Sequence, residues 1–178
     1  MNPFALALLF PGTGGAPLPP LVLGGTTELA LSATSGISPR LSGGLSVRRG
    51  AKTLGWDAGL RGGPDFGRLD SGAWLHTPLG PAGIGLRLGA IAAVDVWGNP
   101  WFGGSASAQA AMPLGDRTTA SVSLGAEVVT GIYVEGSLGM TPLAVAGVRL
   151  DHALGDHWTI GAGAGWPHLV GLELATRR

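Results

Sequence analysis

Residues 119–128, TASVSLGAEV, alternate polar and apolar side chains with a period of two. Val122 and Leu124 fall on one side of an extended chain and Ser121 and Glu127 on the other, because successive side chains of a β-strand point to opposite faces. The segment is therefore predicted to be an amphipathic strand. Taken alone, it fits either a soluble sheet whose apolar face lies in a core or a membrane barrel whose apolar face lies in lipid.

The same alternation recurs along most of the chain. A tilted strand that spans a bilayer needs about 9–11 residues, and most of the alternating segments are close to that length. Residues 69–76 follow the pattern less well, because Trp74 falls on their polar side. We predict strands over residues 27–34, 41–48, 54–61, 69–76, 84–96, 102–112, 118–128, 132–140, 143–150, 158–166 and 170–174.

Short turn sequences rich in Gly, Pro and Asp connect these segments, among them GGPDFG, TPLGPAG, WGNP, PLGD, TG, TP and LGD. Regular strands with short turns predict an antiparallel up-and-down meander. In lipid such a meander must close on itself, because an open edge leaves backbone groups without partners. Bacterial barrels of this type have even strand numbers. The predicted fold is all-β, an up-and-down antiparallel transmembrane β-barrel of ten or twelve strands, or eight if the weaker segments merge.

Composition favours the membrane barrel over the soluble one. Only 12% of the residues are charged, against roughly a quarter in soluble domains, so the polar faces carry too little charge to coat a surface in water. The 11 basic and 11 acidic residues balance, which leaves no basic field to attract nucleic acid. The chain contains no Cys, which excludes disulfides and thiolate metal sites. No apolar run reaches the roughly 18 residues of a transmembrane helix, so the predicted spans are strands.

The first 21 residues differ from the rest. An apolar segment, residues 4–10, is followed by a Pro-Gly break and small residues up to Ala16, a pattern that resembles a secretory signal peptide. An ordered N-terminal strand or plug is the alternative. Pro17, Pro19 and Pro20 predict a linker. We expect residues 1–21 to form a signal or N-terminal segment with a Pro-rich linker, and residues 22–178 to form the barrel domain.

From Thr27 to Leu174 the chain resembles the small outer-membrane β-barrel proteins of bacteria as a class, through its alternating strands, apolar outer face and Gly-rich polar inner face. This resemblance implies a location in the bacterial outer membrane, contact with membrane lipid and a monomeric state. It implies no cofactor and no nucleic-acid partner. The implied role is a structural or weakly permeable barrel without catalytic activity.

Isolated charged residues on the polar faces are expected to share the lumen of such a barrel. Buried ions must pair, and neighbouring strands are expected to bring Glu127 and Glu135 to Arg149, and Arg48 to Asp57. The network either plugs a narrow barrel or lines a thin polar path for a small solute or ion, and a plug is the simpler interpretation because small barrels are filled by their own side chains. The predicted lumen charges are Arg48, Asp57, Arg61, Arg87, Glu127, Glu135, Arg149 and Glu173.

Aromatic residues near the predicted strand ends suit the interfacial girdles of a membrane barrel. Trp97 and Trp101 flank the GNP turn, and Trp158 and Trp166 bracket one strand. The alternative is that they pack against turns. We predict that Trp97, Trp101, Trp158 and Trp166 lie at the lipid interface.

Two alternative functions remain: a soluble calycin-like barrel that binds an apolar ligand, and a membrane-embedded lipid-modifying hydrolase. A hydrolase needs a Ser near a His and a carboxylate, yet the chain has no G-x-S-x-G motif and His76 is followed by Thr77 and Pro78. Residues 151–157, DHALGDH, bring two Asp-His pairs to one turn. We expect a turn with polar tips there, with no metal and no catalytic residue assigned.

Overall fold

The computed structural model describes residues 27–36, 41–50, 53–64, 66–95, 97–132, 138–166 and 168–177. The N-terminal segment expected over residues 1–21 lies outside these ranges. Among the described residues, no helix is long and apolar enough to cross a membrane. The strands are β1 Thr27–Gly36, β2 Leu41–Gly50, β3 Leu54–Gly63, β4 Phe66–Leu79, β5 Ala82–Asp95, β6 Pro100–Pro113, β7 Thr118–Ile132, β8 Leu138–Ala153, β9 Trp158–Trp166 and β10 His168–Arg177.

These ten strands form one closed antiparallel barrel in which each strand pairs with its neighbours in sequence. The barrel is closed by β1 and β10, which pair from Glu28 opposite Arg177 to Gly36 opposite His168. Closure gives every strand a hydrogen-bonding neighbour on both sides, the condition for a sheet in lipid. The predicted all-β up-and-down barrel is confirmed, with ten strands.

The structure corrects the strand predicted over residues 132–140, because β7 continues to Ile132 and β8 begins at Leu138. The TG and TP sequences, predicted as turns, lie inside strands. Gly131 of β7 lies opposite Trp101 of β6, and a Cβ atom at Gly131 would overlap the Trp101 ring, so the glycine is needed for packing within the strand rather than for a turn. Pro142 is accommodated because β8 pairs with β9 only from Ala146 onward, so that one side of the strand at Pro142 does not need its N–H.

The barrel has two rims that differ in their connections. Rim A carries the turns at residues 80–81, 114–117 and 154–157, together with the first residues of β1 and the last of β10. Rim B carries the turn at residues 97–99. Strands β4 to β8 have 14 to 16 residues and the others 9 or 10, so the wall is taller on one side.

Polar side chains point into the barrel and apolar side chains point out. On β7, Ser121 and Glu127 are 7% and 3% exposed, whereas Val122 and Leu124 are 55% and 67% exposed. The same division holds on the other strands, where exposed Leu, Val and Ile side chains alternate with buried ions and small residues. The large apolar side chains inside the barrel include Trp74, Ile91, Trp101 and Val129. An aliphatic outer surface of this extent is unfavourable in water and matches the lipid-facing band of membrane barrels.

The orientation of β7 predicts opposite effects for adjacent substitutions. Leu124→Arg places a charge in lipid and is expected to cost about 2–4 kcal/mol near the bilayer midplane. Ser123→Arg places the same side chain toward the polar lumen and is expected to cost clearly less. The free energy of unfolding in liposomes, measured by urea titration, tests this difference, and equal costs at the two positions would contradict the assignment of inside and outside.

Candidate functional site: the ion-paired lumen

The predicted lumen charges that the structure describes all lie inside the barrel. Arg48, Asp57, Arg61, Arg87, Glu127 and Glu173 are buried, and the Arg149 side chain is 10% exposed. Glu135 lies outside the described residues. The interior positions follow from the period of two, because each of these residues shares its strand face with Ser or Gly neighbours.

One chain of ion pairs joins β2, β10 and β8. Arg48 donates to both carboxylate oxygens of Glu173, at 2.9 and 2.7 Å. Arg149 donates to Glu173 at 2.8 Å and to Asp151 through Nε and Nη2, at 2.8 and 2.5 Å. Glu173 therefore holds two guanidinium groups that come from opposite sides of β10.

A second ion pair lies between β3 and β5. Arg87 donates to Asp57 through Nε at 2.9 Å and through Nη2 at 2.5 Å, and its Nη1 donates to the hydroxyl of Ser105 at 3.1 Å. The bidentate geometry fixes the plane of the guanidinium. Ser105 thereby links this ion pair to the inner wall formed by β6.

A third cluster crosses the lumen from β4 to β7. Arg68 donates to Asp70 on its own strand at 2.6 to 2.9 Å and to both oxygens of Glu127 at 2.9 and 3.0 Å. Arg68 is 1% exposed. Two strands, β5 and β6, separate the partners around the barrel, so the Arg68 side chain passes over their inner faces.

Arg68 and Asp70 were missed as lumen residues in the sequence, although a signal was present. The sequence RLD occurs at residues 68–70 and again at 149–151. In both copies the Arg binds the Asp two residues later and then reaches a Glu on another strand, Glu127 or Glu173. Residues i and i+2 share one face of a strand, so this repeat marks two similar clusters, on β4 and β8.

The hydrogen bonds in the lumen include partners that were not expected. Arg48 does lie opposite Asp57 in the register, but it donates to Glu173, while Asp57 accepts from Arg87. Glu127 accepts from Arg68 rather than lying with Arg149. Ion pairs were expected between adjacent strands only. In a narrow barrel, however, the long side chain of an arginine carries its guanidinium over one or two intervening strands.

Trp101 corrects the prediction of an interfacial girdle. It is 1% exposed and packs inside the barrel with Ile91 and Val129. Its place follows from the strand register. Trp101 pairs with Ala93 on β5 and with Gly131 on β7, and directly paired residues point to the same face of a sheet, here the inner one. The glycine leaves room for the indole ring.

The other three predicted girdle residues lie on the outside. Trp97 and Trp166 are exposed near rim B, and Trp158 is exposed at rim A. Trp56, on β3, is also exposed toward rim A. Whether these residues contact the lipid headgroups stays a prediction.

Trp74 fills the lumen near rim A. It is buried and lies opposite Gly55 in the register, and a Cβ atom at Gly50 or Gly55 would overlap its ring. This explains why Trp74 falls on the polar side of its strand in the sequence. Trp74 and Trp101 thus each cover a glycine, at opposite rims.

A cavity of about 140 Å³ remains along the inner faces of β6 to β9. Its wall contains Ser107, Gln109, Ser121 and Ser123, and its charged border contains Arg87 and Arg149. Ser and Gly side chains are too small to fill the lumen on this side. The large side chains of β2 to β5 fill the opposite side.

No cluster of three or more His, Asp or Glu side chains with metal-binding geometry occurs within the described ranges. At the turn of residues 151–157, His152 is exposed and its Nδ1 lies 3.0 Å from the hydroxyl of Thr118. His76 lies inside β4 and is buried.

Comparison with known proteins found no matching family model and no matching curated protein. Solved structures do match. A de novo designed transmembrane β-barrel is 8% identical with a TM-score of 0.39 and covers 89% of this chain and 100% of its own. KdgM porin is 9% identical with a TM-score of 0.43 and covers 85% of this chain and 97% of its own.

A TodX mutant, a monoaromatic hydrocarbon channel, is 11% identical with a TM-score of 0.37 and covers 99% of this chain and 70% of its own. Because all three TM-scores lie below 0.5, the fold assignment rests on the strand pairing and the inside-out burial of this chain.

The Arg149 cluster predicts a non-additive response to substitution. Arg149→Met leaves Asp151 buried without its guanidinium and is expected to destabilise the barrel by about 3–5 kcal/mol. Adding Asp151→Asn removes the uncompensated charge, so the double variant is expected to be more stable than Arg149→Met. Urea unfolding of the two single variants and the double variant measures this coupling. Strictly additive free energies would show that Arg149 and Asp151 do not interact.

Proposed function

We propose that this chain is a monomeric β-barrel of the bacterial outer membrane, with a structural or weakly permeable role and no catalytic activity. Three features support the proposal. The backbone ladder is closed, the outer surface is aliphatic, and the ions lie inside in pairs. A soluble calycin-like barrel would have the reverse arrangement, with apolar residues inside and charges outside.

The main support for a weakly permeable role is the ion pair between Arg68 and Glu127. It joins β4 to β7 at 2.9 and 3.0 Å, over the inner faces of β5 and β6. An ion that passes this level must separate the pair or move around it, and separating a buried ion pair is costly. Frequent ion passage is therefore opposed, while the cavity beside β6 to β9 keeps part of the section open.

Glu127→Gln tests this proposal in planar bilayers. The amide keeps the shape of the side chain but weakens its hold on Arg68, so we expect more frequent ion-conducting events than in the wild type. Arg68→Ala is expected to act in the same direction and more strongly. Arg49→Ala, which removes an exposed arginine of β2, is the control and should conduct like the wild type.

Two results would contradict the proposal. Steady openings on the nanosiemens scale in the wild type would make the protein an open pore. Unchanged event frequency in both Glu127→Gln and Arg68→Ala would show that this ion pair does not limit permeation.

A further inference from the structure

The inner wall of the barrel has two chemically different halves. The half formed by β2 to β5 carries Arg48, Arg61, Arg68 and Arg87 and the ring of Trp74. The half formed by β6 to β9 carries mainly Ser and Gly around the cavity, together with Glu127, Arg149 and, near rim B, Trp101. The cavity lies against the Ser and Gly positions of this second half.

The cavity extends along the barrel. Its lining includes Gly165, the penultimate residue of β9 near rim B, and also Gln109 and Ser121, which lie within four residues of the strand ends at rim A. The volume of about 140 Å³ has room for about five water molecules. Because Gln109, Ser123, Gly147 and Gly165 pair directly across these four strands, the open space is a continuous strip from near rim A on β6 to near rim B on β9.

The polar groups that face this space have hydrogen-bonding capacity left. Gln109 is 5% exposed and lines the cavity. Within the part of the chain that the structure describes, the side chains of Gln109, Ser107 and Ser121 have no hydrogen bond to another residue. The Gln109 carboxamide borders the cavity, where water or a solute can take its hydrogen bonds.

The charged groups at the border of the cavity are already engaged. Arg87 binds Asp57, Arg149 binds Asp151 and Glu173, and Glu127 binds Arg68. An ion entering the cavity would compete with these pairs. An uncharged solute instead exchanges its water hydrogen bonds for bonds to hydroxyl and amide groups, which leaves the pairs intact.

We propose that the cavity along β6 to β9 is a binding and passage site for small uncharged hydrogen-bonding solutes of the polyol class, with Gln109 as its recognition residue. The inference rests on the proposed weakly permeable barrel and names the solute class that the lumen accepts. The ion pairs that border the cavity then oppose the entry of ions, while the Ser and Gly wall admits neutral solutes.

Liposome swelling in glycerol tests the proposal on the full chain. We expect wild-type liposomes to swell faster than protein-free liposomes, and Ser107→Phe, which fills the cavity opposite Gly125, to abolish the difference. Ala108→Phe is the matched control, because it adds the same ring to the lipid-facing side of the same strand and should swell like the wild type.

Gln109→Leu provides a second variant that keeps the volume of the side chain and removes its hydrogen-bonding groups. It is expected to slow glycerol entry by about tenfold, the effect of one lost hydrogen bond. A folded barrel migrates differently from the unfolded chain on an SDS gel when the sample is not heated. The folded band in the liposome sample therefore shows that each variant has folded and inserted.

Wild-type swelling no faster than that of protein-free liposomes would overturn the inference, as would unchanged swelling in both Ser107→Phe and Gln109→Leu. These failures are distinguishable from failure of the proposed function. A barrel with rare ion-conducting events and no glycerol entry overturns only the solute site, whereas steady ion conduction in the wild type overturns the ion-paired lumen as well.

Discussion

The hydrogen-bonded seam between β1 and β10 is the interaction on which the rest of the structure depends. A bilayer offers no partners for backbone N–H and C=O groups, so a sheet is stable there only when its first and last strands pair. The seam joins residues 28–36 to residues 168–177. Once it forms, each strand has a fixed inner and outer face, and the period of two in the sequence becomes a division between lumen and lipid.

The same closure forces the charged residues together. Ions that enter a narrow lumen lose most of their water, and they remain stable only by pairing with one another. The two RLD segments show a recurring solution, in which Arg68 or Arg149 binds an Asp on its own strand and a Glu on another. The Ser and Gly positions of β6 to β9 border the space that these clusters leave open.

The fold was largely predictable from the sequence, and the contacts within the lumen were not. Alternation together with the low charge content indicated which face of β7 is inside, and turn chemistry indicated a meander of about the right strand number. The partners of Arg48 and Glu127 could not be predicted, because they depend on the diameter and stagger of the closed barrel. The prediction for Trp101 was wrong for a related reason. Its nearness to a turn suggested the lipid interface, whereas its pairing with Gly131 on the inner face of β7 places it inside the barrel.

The most direct test of the account is the accessibility of spin labels along β7. The chain has no Cys, so single cysteines at residues 120–126 can each carry one nitroxide in a lipid bilayer. Labels at Ala120, Val122, Leu124 and Ala126 should collide more with dissolved oxygen, which concentrates in lipid, and labels at the alternate residues more with a water-soluble nickel chelate. A signal without a period of two, or with the two sets exchanged, would contradict the barrel with lipid outside and ions within.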